Sequence, residues 1–319
     1  MRSEFDFIQN IKTKYGLAHV GDDCAVLPKD DKTDMVLTAD MLVEDIDFRL
    51  DWTTPDAIAH KALAVSLSDI AAMGAEPKWS ILSIGVPEGI WNSRFLDDFY
   101  VGWHHLAAKF DVELVGGDIS RTADKVVIDS VVGGEVPRGK AIFRSTAKAG
   151  DAIIVTGTLG AAAGGLELLR KGAIYNASSY GSEFVLLDRQ LCPSARIDRG
   201  QEIQRIGGVS AMIDISDGLS SDLYHICVAS SVGATVFAEK LPVEPNLSIL
   251  SLSREKELDM ALNGGEDFEL LFTVAQNKIS QFPPPNFTVI GEITANVGII
   301  ELVCNAETSI LEPKGYHHF

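Results

Sequence analysis

Carboxylates set into apolar or glycine-rich runs constrain this chain more than any other feature of its sequence. Six segments share one form: the end of a strand or helix, a small residue, then an acid. They are GDDCAV (Asp22, Asp23), LTADMLVEDIDF (Asp40, Asp45, Asp47), LSDIAAMGAEP (Asp69), GGDISR (Asp118), DISDGL (Asp214, Asp217) and NGGEDFELL (Glu266, Asp267). A desolvated carboxylate is strongly unfavourable unless it is paired or bound to metal. Taken singly, most of these acids have a local explanation. Asp23 suits a turn, Asp40 suits a loop cap, and Asp118 follows a Gly-Gly turn. An N-cap accounts for one of Asp214 and Asp217 but not both. Asp69 is the sharpest case, because AVSLSDIAAMG carries no other charge, and an unpaired carboxylate there has to meet a cation or a donor network.

The chain has 319 residues, which suggests two domains, and a formal net charge of −18. Such a charge repels nucleic acid and anionic lipid, so neither is expected as a partner. Cys24, Cys192, Cys227 and Cys304 lie far apart without a CxxC pair and read as reduced thiols. The start, MRSEFDFIQNIKTKYG, has no apolar signal core, and no stretch is long and apolar enough to span a membrane. A cytoplasmic location is expected.

The pattern predicts a helix over 4–14, with Ser3 as its N-cap, and a strand MVLTAD ending in Asp40. A strong helix starts at Pro55 and stops at Gly74. The strand WSILSIGV, one amphipathic helix over 91–110, and the strands VELVGGD and KVVIDSVVGGEV follow. A basic connector bracketed by Pro137, Gly139 and Gly150 then leads into DAIIVTG and a small-residue helix over 160–171. Helices are expected near 182–191, 195–206 and 219–230, among the strands SAMIDIS, ATVFAE, FELLFTV, FTVIGEI and VGIIELV. This irregular mixture reads as two α/β domains with mixed sheets, covering 1–138 and 149–319.

The usual nucleotide motifs fail. GEVPRGKA misses the P-loop pattern at one position, since Ala141 stands where a magnesium-binding hydroxyl is required. TGTLGAAAGG is not GxGxxG, and no kinase loop set, HExxH or GxSxG appears. A phosphate handler built from this sequence must work through acids and metal. Magnesium fits, since it takes hard oxygen ligands and needs only one or two carboxylates per ion besides substrate phosphates.

GDDCAV, the TxD strand, LSDIAAMGAEP, GGDISR, the FRS arginine, DISDGL, GGEDFELLF and the terminal KGYHHF together resemble the thiamine-monophosphate kinase family. They fall in that family's order from Gly21 to Phe319. Single pieces recur in the wider superfamily of aminoimidazole-ribonucleotide synthetase and selenophosphate synthetase. The resemblance implies two α/β domains and a homodimer whose N-terminal domains pair into a β-barrel. It implies ATP-dependent phosphorylation of thiamine monophosphate to thiamine diphosphate with several Mg2+ ions, by direct in-line transfer. Asp23, Thr38, Asp40, Asp69, Asp118, Asp214 and Asp217 would be the metal ligands. Tyr100, Gly117, Asp118, Arg144 and Ser216 would contact ATP, while Asp47, Glu266 and Tyr316 would face the acceptor. Asp40, Asp118, Arg144 and Asp214 would carry the catalysis. Three positions depart from the family pattern: Ala39 replaces a frequent hydroxyl residue, Asp47 a frequent histidine, and Pro313, just before KGY, a commonly aromatic residue. A selenophosphate synthetase would need a reactive cysteine in a Gly-rich loop before Gly21, which is lacking. A non-catalytic nucleotide sensor would have no need of Glu266 and Tyr316. His317 and His318 read as a solvated tail.

Overall fold

The computed structural model describes residues 4–316; the expected Ser3 cap and the His317-His318 tail lie outside them. The first domain comprises helices α1 (Glu4–Tyr15), α2 (Pro55–Ala72), α3 (Glu88–Trp91) and α4 (Phe95–Lys109). Its strands are β1 (Ala25–Pro28), β2 (Thr33–Val43), β3 (Glu76–Val86), β4 (Glu113–Arg121) and β5 (Val127–Pro137). They form a sheet in the order β1-β2-β5-β3-β4, antiparallel except for the parallel pair β3–β4. The second domain comprises β6 (Asp151–Thr156), α5 (Ala161–Arg170), α6 (Ser182–Leu191), α7 (Ile197–Ile206), β7 (Val209–Asp214), α8 (Leu219–Ser230), β8 (Gly233–Phe237), α9 (Arg254–Asn263), β9 (Leu270–Ala275), β10 (Phe287–Thr294), β11 (Ile300–Cys304) and β12 (Glu307–Ile310). Its sheet runs β12-β11-β8-β10-β6-β9-β7, with β8–β11 the parallel pair. The mixed two-domain α/β architecture is as the sequence implies.

Helix α2 organises the molecule. Pro55 opens it, and Gly74 closes it in the left-handed region at φ +67°, with the Ala75 N–H donating back to the Ile70 carbonyl. Between these ends it is apolar on nearly every side. That is the pattern of a helix enclosed all round, not of one lying on a surface. It packs on β2, β3 and β5 of one sheet, on β7 of the other, and on α4, α6 and α7. Ile58, Leu63, Leu67 and Ile70 are at most 1% exposed, and each such side chain stabilises the fold by roughly 1.5–3 kcal/mol. One continuous core therefore runs from Val36 and Leu82 in the first sheet through α2 to Met212 and Phe272 in the second.

Two expectations change and a third holds. The helix expected over 91–110 begins only at Phe95, and Trp91 instead ends the separate short helix α3. Ser93 ends α3 by donating to the Ile90 carbonyl, and its Oγ then accepts from the Phe95 N–H that opens α4. Strand β2 continues past Asp40 to Val43, so Asp40 lies within a strand rather than at its end. The P-loop-like Gly134–Ala141 begins inside β5, which confirms it as strand and connector.

Candidate functional site

Alternation along β2 turns Val36, Thr38 and Leu42 toward α2 and leaves Leu37, Ala39 and Met41 on the opposite face. Asp40 falls in the same register as Thr38. Facing them, the last turns of α2 present Ser66, Ser68 and Asp69. From the second domain, Asp214 ends β7, and Asp23 comes from the loop before β1. One carboxylate oxygen each from Asp23, Asp69 and Asp214 lies within 4.8 Å of the others. The Thr38 hydroxyl donates to Asp69 Oδ2, and Ser68 Oγ donates to Asp214 Oδ2 at 2.5 Å. Ser66 and Ser130, both fully buried, share a hydrogen bond of 2.9 Å that seats α2 on β5 beside Asp40.

The electrostatics are those of crowded, dry carboxylates. Burial, with Asp23 and Asp40 adding to it, pushes Asp214 up to about 8. Burial also raises Asp40 and Asp22 to about 6, helped by Asp129 and Asp23 for the first and by Asp23 for the second. Asp69 stands well above the ordinary range through burial and then the Asp40, Asp214 and Asp23 charges. Arg144 answers part of this charge. Its guanidinium pairs with Asp23 and has Nε 3.6 Å from Asp22, and its backbone N–H donates to Asp22 at 3.3 Å. Asp23 Oδ2 and Asp40 Oδ2 remain buried with no hydrogen-bond partner among the described residues. Orphaned oxygens of this kind among converging acids fit hard divalent cations of the magnesium class. Burial and the neighbouring Asp69 and Asp23 raise the Cys24 thiol well above its usual value, so it is an inert core residue at 3% exposure.

A second group of predicted residues meets nearby. The Tyr316 phenol is raised first by partial burial and then by the Asp47, Glu266 and Asp217 charges. The Tyr316 N–H donates to the Asp217 carbonyl at 3.0 Å, and the Lys314 and Gly315 N–H groups donate to Ser220 and Ser221 of α8. The tail is thus pinned over the DISDGL loop. Glu266 sits at φ +66°, its N–H on the Ser216 carbonyl at 2.8 Å. The motifs assign no role to Asp222. It is 1% exposed and accepts from the Asp217 and Gly218 N–H groups, so it shapes the loop that an N-cap was expected to shape. Asp217 groups with Asp222 and His225, not with the Asp23–Asp69–Asp214 trio. Lys61, 3% exposed in its side chain, bonds both Glu266 and the Asp47 carbonyl; a lone cation in an apolar helix was the available signal.

Three predicted residues stand apart. Asp118 and Gly117 lie exposed on β4. Sheet register places Asp40 opposite Ser130, Ser130 opposite Leu82, and Leu82 opposite Gly117; three strand spacings make that about 14 Å. A Cβ at Gly117 would fall 1.8 Å from the Leu82 carbonyl oxygen, so strand approach alone requires this glycine. Tyr100 lies on α4 with its ring against Phe99 and His104, and burial alone raises its phenol.

Residues 21–136 match the N-terminal domain of the AIR synthase related protein family, and residues 148–303 match its C-terminal domain. The thiamine-monophosphate kinase of Escherichia coli (strain K12) is 38% identical, over 99% of this chain and 95% of that protein. The Bacillus subtilis (strain 168) enzyme of that name is 35% identical over 99% of each. A solved structure described as AaThiL complexed with AMPPCP and TMP superposes with a TM-score of 0.87 at 34% identity, covering 99% of this chain and 97% of that one. With the motifs, the two-domain fold and near full-length identity in agreement, this chain belongs to the thiamine-monophosphate kinase family of AIR synthase related proteins.

Proposed function

We propose that this chain transfers the γ-phosphoryl group of ATP to thiamine monophosphate, forming thiamine diphosphate, with Mg2+ held by its aspartates. The carrying observation is the convergence of Asp23, Asp69 and Asp214 around buried, partnerless oxygens of Asp23 and Asp40. The AMPPCP and TMP bound to the similar structure support the substrate pair. Asp23, Thr38, Asp40, Asp69 and Asp214 hold the metal, joined by Asp118 and Asp217. Bound there, Mg2+ neutralises phosphate charge and screens the repulsion between two polyanions. Arg144 turns its guanidinium from Asp22 and Asp23 toward the transferring phosphate. Gly117, Asp118, Ser216 and Tyr100 contact ATP. Asp47, Glu266 and Tyr316 orient the acceptor. That acceptor is a phosphate monoester, largely dianionic at neutral pH (second pKa about 6), so it attacks directly and needs no general base.

We further propose a homodimer, with domains at 1–138 and 149–319. Strand β5 lies between β2 and β3 and so offers no free edge. The support comes from β4, an edge strand exposed along most of its length with Val115 at 53% and Ile119 at 45%. It comes also from the sheet face opposite α2, where Leu37, Ala39, Met41, Ile81 and Val131 are left incompletely covered. Pairing through this face and edge would bring Asp118 and Tyr100 to a shared site. A steady-state assay with ATP, thiamine monophosphate and Mg2+ tests the reaction; absence of turnover overturns it.

A further inference from the structure

Lys61 is a buried cation that the phosphoryl-transfer reading does not use. It sits on α2 among Ala57, Ile58, Ala62 and Leu63, where packing alone would favour an apolar side chain. A buried ammonium is strongly unfavourable unless its donors are satisfied. Here Nζ lies 2.6 Å from Glu266 Oε1 and donates to the Asp47 carbonyl at 3.0 Å. Gln190 of α6 donates to the other Glu266 oxygen. Glu266 itself holds a left-handed backbone conformation, an unfavourable state for a non-glycine residue that persists where the surroundings over-determine it.

We infer that Lys61 is the positioning residue of the acceptor subsite: it ties the Asp47 loop of the first domain to Glu266 of the second and fixes the carboxylate that the acceptor meets. The inference rests on the assignment of Asp47, Glu266 and Tyr316 to the acceptor. The chemistry it selects is definite. Neutralised by Lys61, Glu266 serves as a directed hydrogen-bond acceptor, suited to an N–H or O–H donor of the acceptor's ring system, and not as a free charge that attracts any cation. Lys61 bonds Glu266 and the Asp47 carbonyl, not the residues assigned to nucleotide or metal, so its effect belongs to one substrate.

The test is steady-state kinetics of the wild type, Lys61→Met, Glu266→Gln and the double variant, with each substrate varied in turn. Lys61→Met is expected to raise KM for thiamine monophosphate about tenfold or more, with KM for ATP held within about twofold, as befits loss of a hydrogen bond to a charged group. Because Lys61 acts through Glu266, the double variant should match Glu266→Gln alone rather than multiply the two effects. Lys61→Met alone strands an unpaired carboxylate and could fail to fold. The double variant removes both charges and decides the matter through its comparison with Glu266→Gln. The inference is overturned if Lys61→Met leaves KM for thiamine monophosphate unchanged, if both KM values rise together, or if the double variant is worse than Glu266→Gln. Wild-type protein without turnover of thiamine monophosphate sinks the acceptor assignment, and the inference with it; normal wild-type turnover beside an indifferent Lys61→Met sinks Lys61 alone.

Discussion

Replacing Asp69 by Asn tests whether the aspartate cluster exists for metal or for the fold. The substitution keeps the shape and the oxygen that accepts from Thr38, and deletes one charge. Two unit charges 4.8 Å apart, the outer limit for Asp69 against Asp23 and Asp214, repel by about 3.5 kcal/mol at an effective dielectric constant of about 20. Proton uptake caps the total. From an ordinary carboxylate value of 3.8, holding Asp69 protonated at pH 7 costs at most about 4 kcal/mol, and at pH 5 under about 2. The metal-free Asn variant should therefore be more stable than metal-free wild type by about 2–4 kcal/mol at pH 7, with the gain shrinking toward pH 5. For a chain of this size that is on the order of 3–6 °C in Tm. Adding Mg2+ should reverse the order, because wild type gains a ligand and the variant lacks one of its oxygens. Activity should fall by orders of magnitude. Melting curves in chelator and in Mg2+ at both pH values make the check. A variant that is less stable in chelator, yet keeps the full Mg2+ shift and normal activity per folded molecule, would show Asp69 to be a structural residue and refute the reasoning.

Other expectations follow from the same charges. Asp22, Asp40 and Asp214 are raised in the folded state, so their stabilising contribution is present below the ordinary carboxylate range and lost as pH rises through about 6 and about 8. Metal-free protein should thus lose stability between pH 5 and 8 in a denaturant titration, and Asp214→Asn should flatten the upper part; a stability that climbs across this window contradicts the assignment. Calorimetry should find ATP binding weak in chelator and restored by Mg2+, and equal affinity in both would remove the metal argument. Tyr316→Ala should raise KM for thiamine monophosphate by a factor corresponding to about 1–2 kcal/mol, as for a partly desolvated aromatic–cation contact, with ATP binding unchanged. Light scattering at micromolar concentration should report a dimer that Val115→Lys weakens; a wild-type monomer under assay conditions would defeat the proposed pairing.

The sequence revealed elements whose periodicity is strong and whose ends carry their own chemistry. Helix α2 was legible from Pro55 to Gly74 because its punctuation is local. The break between α3 and α4 was not, because a single serine makes it while the apolar spacing runs on. Helix α9 escaped because REKELDMALN buries only Ala261 and Leu262, too little for a visible stripe. The acids divide in the same way. Asp23, Asp69 and Asp214 were recognisable from their apolar surroundings. Asp222 reads as an ordinary surface acid of a helix until the fold turns it back onto the loop before it. Lys61 needed a partner two domains' strands away in sequence, which spacing does not supply. For Asp118 and Tyr100 the motifs gave membership, while the sheet register keeps them away from the trio within one chain.

Helix α2 carries Lys61 near its beginning and Asp69 near its end, eight residues apart, which is about 12 Å along its axis. Being enclosed by both sheets, it can neither bend nor slide without disturbing the core that the domains share. It works as a ruler. On the proposed assignments, the gap between the place where an acceptor's rings are held and the place where its phosphate must arrive is set by backbone geometry, not by loops that close to suit. Length, more than ring chemistry, should therefore decide which analogues are phosphorylated. A compound with the right rings and a shortened arm would bind well and still hold its phosphate out of reach.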